Sequence, residues 1–129
     1  MSTTTEKRTQ ALKRKELIGA MSQCYGSINI YKHWTGLKYT DGIHAVAEIA
    51  QAYWLLDIVA SYQVKKSIRQ EDFQVWSLTV DHEQGTGVIV CTDGNSKKLA
   101  KQKIHYTDFP LEEWSCYVID GIMLLPSEY

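Results

Sequence analysis

The chain has little sulfur chemistry available to it. Its three cysteines, Cys24, Cys91 and Cys116, are odd in number, widely spaced and without a CxxC pair. That argues against a disulfide framework and points to a reduced, cytoplasmic compartment. His82 and His105 are the other soft ligands, and no HxxxH spacing joins them, so no metal and no cofactor are expected. Long apolar runs are missing too. The longest nearly apolar segment, Ala52 to Ala60, is interrupted by Asp57 and far too short to span a bilayer, so no membrane role is expected. Met1-Ser-Thr-Thr-Thr carries no basic stretch leading into an apolar one, so residues 1–5 are expected to be a polar tail and not a signal peptide. Repeats, linkers and low-complexity segments are absent from the 129 residues, which predicts one domain over 1–129. A chain of this size buries roughly 65% or more of its unfolded surface.

Net charge is also lacking, at −1, so nothing in the bulk charge attracts nucleic acid or a membrane surface. Its distribution is uneven. Residues 1–69 hold ten Lys and Arg against five acids, net +5, while residues 70–129 hold four against ten, net −6. The halves could present a basic and an acidic face, or attract each other within the fold.

What the chain does have is a carboxylate out of phase. Thr40 or Asp41 is a good helix N-cap for the apolar stretch that runs to Gln63. Stepped at about 100° per residue from Ile43, the residues Val46, Ala47, Ala50, Tyr53 and Trp54 share one broad face, and Asp57 lands in the middle of it. Either the helix breaks near Ala50-Gln51-Ala52, or Asp57 is buried.

Around this region the pattern reads helices first and strands afterwards. Glu6 to Met21 predicts a helix with Leu12, Leu17, Ile18 and Met21 as its apolar stripe; Gly26 and Ser27 break the chain after it. Residues 28–34 are short and rich in β-branched and aromatic groups, hence strand or extended loop, turning at Gly36. The helical region 41–67 is expected in two pieces. From Phe73 to His82 the sequence alternates, with Trp76, Leu78 and Val80 on one side. Residues 87–92 are apolar on both faces and predict a central strand. Leu99 to Thr107 alternates again, with Ala100, Ile104 and Tyr106 inward. Phe109 to Glu113 predicts a single helical turn. Asp120-Gly121 is the strongest hairpin signal, and Pro126 ends the last strand. The sum is α+β, with N-terminal helices packed on one face of a four- to five-stranded antiparallel meander sheet.

Four motifs stand out: YKHW at 31–34, YTDG at 39–42, AYWLLDIVASYQ at 52–63 and LLPSEY at 124–129. With them the chain resembles a family of small uncharacterised proteins found mainly in bacteria, their plasmids and their phages. The resemblance runs from about Tyr31 to Tyr129. It carries no established activity, catalytic residue or cofactor, and implies a cytoplasmic accessory protein carried on mobile DNA, for example one that counters host defence.

No coherent catalytic set is visible. Asp57 could be a general acid or base if burial raised its pKa, but a buried carboxylate is nearly always paired and structural. His33 could reach it only if the 31–34 segment packs on the helix. Ser61 lies one turn beyond Asp57 without a nucleophile elbow or oxyanion motif. Asp41-Gly42 is explained by helix capping, and Gly85-Thr86-Gly87 by a hairpin turn. The leading expectation is therefore a non-enzymatic protein that binds, and regulates or inhibits, a protein partner. The alternative is a small enzyme or ligand-binding domain with a pocket formed by Asp57, His33, Tyr53, Trp54 and Tyr39. The third reading is nucleic-acid binding through a basic face of Lys7, Arg8, Lys13, Arg14 and Lys15, with Tyr31, Trp34 and Tyr39 as stacking surfaces. A homodimer is a default expectation.

Overall fold

Of the two alternatives left by the phase of Asp57, the helical region takes the break. The computed structural model describes residues 4–23 and 29–129, with side chains from residue 10 onward. Cys24, the Gly26-Ser27 break, Ile28 and the side chains of Lys7 and Arg8 lie outside the described residues. Helix α1 (Thr4–Ser22) is followed by short strands β1 (Ile30–Lys32) and β2 (Lys38–Thr40), then by helices α2 (Asp41–Ile49), α3 (Tyr53–Tyr62) and α4 (Lys66–Arg69). Between α2 and α3, Gln51 takes a left-handed φ of 52° and Ala52 N–H bonds back to Ala47 O at 2.9 Å, the wrap that closes a helix C-terminus. The axis changes there. Ile43, Val46, Ala47 and Ala50 stay buried on α2, Leu55, Leu56, Val59 and Ala60 become the buried face of α3, and the Asp57 side chain is 63% exposed.

The strands β3 (Phe73–Asp81), β4 (Thr86–Thr92), β5 (Lys98–Ile104), β6 (Glu113–Ile119) and β7 (Ile122–Leu124) complete the α+β architecture. Among the described residues the sheet has seven strands in the order β1-β2-β7-β6-β3-β4-β5. Two more strands than expected are present because β1 and β2 join it, β2 running parallel to β7. Only β3-β4-β5 is a simple meander; the chain then crosses to the other side of β3 to lay down β6. As expected, β4 is internal, and Asp120-Gly121 forms the β6–β7 turn with both residues at positive φ.

One face of the sheet carries Gln74, Trp76, Leu78, Ile89, Cys91, Trp114, Cys116, Val118 and Met123, all buried in the core shared with the helices. Gln74 is 1% exposed yet fully paired. Its amide bonds to Gln63 and Ile68 O, and its oxygen accepts from Trp76 Nε1 at 3.0 Å, which ties α3 and α4 to β3.

Three expectations are corrected. Leu12 and Ile18 are exposed, so only Leu17 and Met21 of the α1 stripe face the core. Tyr106 is 80% exposed because β5 stops at Ile104. Residues 109–113 make no helical turn: Phe109 N–H bonds to Thr107 Oγ1, Phe109 O accepts from His82, and Glu112 O accepts from Val80 N–H. The backbone groups that a helix would use are already spent on neighbours.

Candidate functional site

The turn from β1 to β2 is short and tightly bonded. His33 N–H donates to Leu37 O at 2.7 Å, and Gly36 N–H donates to His33 O at 2.9 Å, with Gly36 at φ 103°. This closes a loop with Trp34 and Thr35 at its tip. The His33 ring is buried beneath it and held from both sides. Nδ1 lies 3.2 Å from Thr35 N and 2.8 Å from Thr35 Oγ1, and Nε2 lies 2.7 Å from Asp57 Oδ1 on α3. A backbone N–H can only donate, so Nδ1 is the acceptor and Nε2–H is the donor to Asp57. His33 thus clamps the turn onto α3.

Above that clamp, Trp34 stands 88% exposed, its ring 5.5 Å from His33 and tilted by 31°. Beside the turn lies a cavity of about 540 Å³ lined by Thr35, Gly36 and Leu37, by Ala60, Gln63 and Val64 of α3 and the residues after it, and by the Asp120-Gly121 hairpin. Its charged lining residues are Arg69, Glu71, Asp72 and Asp120. Val64 at the rim is 74% exposed.

Of the expected pocket residues, only His33 and Asp57 touch. Tyr39 and Tyr53 gather separately around His44. Tyr31 stacks on His44 at 4.2 Å and on Tyr39 at 5.4 Å, while Tyr53 meets His44 edge-on. Tyr53 Oη donates to Glu48, and burial together with that bond pushes its pKa up to about 12. Trp54 is elsewhere, edge-on to Phe109 at 6.5 Å. None of the five lines the 540 Å³ cavity. Thr35 and Val64, which do, carried no sequence signal beyond the nearby Gly36 turn.

Asp57, His33 and Thr35 form a chain that resembles a proton relay. Its chemistry is limited by its backbone: Thr35 N–H points at Nδ1 and Gly36 N–H is bonded to His33 O, so neither serves as an oxyanion donor. Among the described residues no group of three or more His, Cys, Asp or Glu is placed to hold a metal ion. On α1, Arg14 is engaged with Glu112 at 2.6 Å and holds that carboxylate below its usual range; Lys13 is half-buried and Lys15 exposed. No described helix is long and apolar enough to cross a membrane.

The motifs at 31–34, 39–42, 52–63 and 124–129 are linked by direct contacts. YKHW supplies the clamp histidine and AYWLLDIVASYQ its carboxylate. Thr40 caps α2 by accepting from Ile43 N–H. From the last motif, Glu128 accepts from Thr40 Oγ1 at 2.7 Å and from Gly42 N–H at 3.1 Å. No curated protein and no solved structure matches the chain. A family model does match residues 15–129, which takes in every one of these elements, and the chain belongs to that family of unknown function, DUF6876.

Proposed function

We propose that this protein is a non-enzymatic binding protein that engages a protein partner through the Trp34 turn. The observation that carries the reading is an exposed tryptophan on a preorganised support. Trp34 is 88% exposed, and the residue before it is fixed by bonds at both ring nitrogens. Tryptophan is a favoured anchor of protein interfaces, and rigid presentation lowers the entropy cost of association. Covering most of an indole removes about 150–200 Å² from water, of order 3–5 kcal/mol before association costs.

The resemblance to proteins of bacteria, their plasmids and their phages supports a cytoplasmic setting and a partner met by mobile DNA. A regulatory or inhibitory role, such as blocking a host defence protein, fits a small chain with a presented anchor. The test is capture of partners from host extract by tagged wild type and by Trp34→Ala, with and without nuclease. One protein retained by wild type after nuclease treatment and lost by the variant supports the reading. Capture unaffected by the substitution, or abolished by nuclease, overturns it.

A further inference from the structure

We infer that the cavity beside Trp34 receives a basic side chain, lysine or arginine, of the protein partner. This rests on the reading of Trp34 as the anchor and names the chemistry of what lies next to it. The volume of about 540 Å³ falls within the roughly 300–1,000 Å³ of ligand sites, ample for one long side chain and its flanking backbone. Its lining divides into two kinds. Leu37, Ala60 and Val64 offer an apolar wall, suited to an aliphatic stem. Glu71, Asp72 and Asp120 supply three negative charges against the one positive charge of Arg69.

Those acids form no close ion pair within the fold. Among the described residues, none of Arg69, Glu71, Asp72 and Asp120 takes part in an ion pair within 4.0 Å. Their surplus of two negative charges belongs to the acidic half of a chain whose overall charge is only −1. An apolar wall with a net anionic lining is complementary to a group with an aliphatic stem and a cationic head. The indole of Trp34 at the neighbouring turn adds a face on which a cation can sit. A partner carrying a basic residue beside an apolar patch satisfies both features together. Such long-range complementarity acts chiefly on encounter rate and on choice of partner.

The test uses the full-length chain and two probes, the capped pentapeptides Gly-Gly-Arg-Gly-Gly and Gly-Gly-Glu-Gly-Gly, titrated against backbone amide resonances. The Arg peptide should shift the amides of Thr35, Leu37 and Gly121 saturably, and the Glu peptide should not. Asp72→Asn together with Asp120→Asn should weaken the Arg peptide by at least fivefold. Asn keeps the positive φ of position 120, and only the backbone oxygen of Asp72 is bonded, to Asp120 N–H, so the fold is retained. Shifts that are absent, or unchanged in the double variant, overturn the inference.

The protein captured by wild type separates this inference from the reading beneath it. If that protein is lost by Trp34→Ala but binds the double Asn variant as tightly as wild type, the cavity assignment fails and the anchor stands. If both variants bind it undiminished, both fail. Loss with each variant supports both.

Discussion

The carboxylate of Glu128, next to last in the chain, accepts a hydrogen bond from Gly42 N–H at 3.1 Å and so sits on the N-terminus of α2. It also accepts from Thr40 Oγ1 and, at 2.9 Å, from Leu125 N–H. A negative group at a helix N-terminus is favourable, and here it brings the end of the chain against its middle. A Cβ at position 42 would lie 2.7 Å from both the Glu128 carboxylate carbon and Leu125 Cδ1, so a larger residue there must push both side-chain ends aside and draw the carboxylate off its bonds.

Gly42→Ala should therefore destabilise, although alanine in an ordinary helix stabilises by about 0.5–1 kcal/mol. Overpacking of this kind costs about 1–3 kcal/mol. Glu128→Ala, which strands the amide of Gly42, should cost a similar amount, about 1–3 kcal/mol. Urea unfolding of the two variants checks both values, and a stabilised Gly42→Ala would show the contact to be loose.

Asp57→Ala separates rigidity from stability. Asp57 is 63% exposed, so its loss should cost less than ~1 kcal/mol. Without its carboxylate His33 Nε2 loses its partner, and the Trp34 turn should gain motion. Relaxation of the Trp34 indole N–H measures this directly. An unchanged order parameter would mean that the backbone bonds alone hold the turn.

Cys91 and Cys116 are buried on either side of Trp76, two strands apart. Burial pushes the Cys91 thiol up to about 12 and that of Cys116 higher still. Neither should react with a thiol reagent at pH 8 in the native protein, and both should react in denaturant. Peptide mapping after alkylation reads each site separately.

Tyr53 should ionise late. Its folded pKa of about 12 lies above the ordinary 10.0, so the stability it contributes is fully present below pH 10 and is lost as pH rises towards 12. Spectrophotometric titration of wild type against Tyr53→Phe should show the missing tyrosinate signal above pH 11. A missing signal centred at pH 10 would place Tyr53 outside the cluster it forms with His44 and Glu48.

Much of this architecture was legible in local pattern, because local pattern caused it. The phase of Asp57 left either a break near Gln51 or a buried carboxylate, and the break is what the fold adopts; the alternation through Trp76 and Leu78 marked the core face of β3, and Asp120-Gly121 marked its hairpin. What could not be read depends on distant partners. The parallel pairing of β2 with β7 and the seat of Glu128 on Gly42 join residues more than eighty apart in sequence. Phe109 to Glu113 has the composition of a helical turn, yet Thr107, His82 and Val80 take its backbone groups. In the candidate site, the His33–Asp57 pair was readable only as a condition on packing. The cavity was not readable, since its walls come from four separate stretches of chain.

The most direct measurement is the affinity of the captured partner for wild type and for Trp34→Ala, by calorimetry with both proteins purified. An anchor of the kind described contributes at least ~2 kcal/mol, about a thirtyfold loss of affinity on truncation, with the folding stability of the variant unchanged. Affinities within twofold of each other would contradict the account, because the indole held out on the clamped turn would then be doing nothing at the interface.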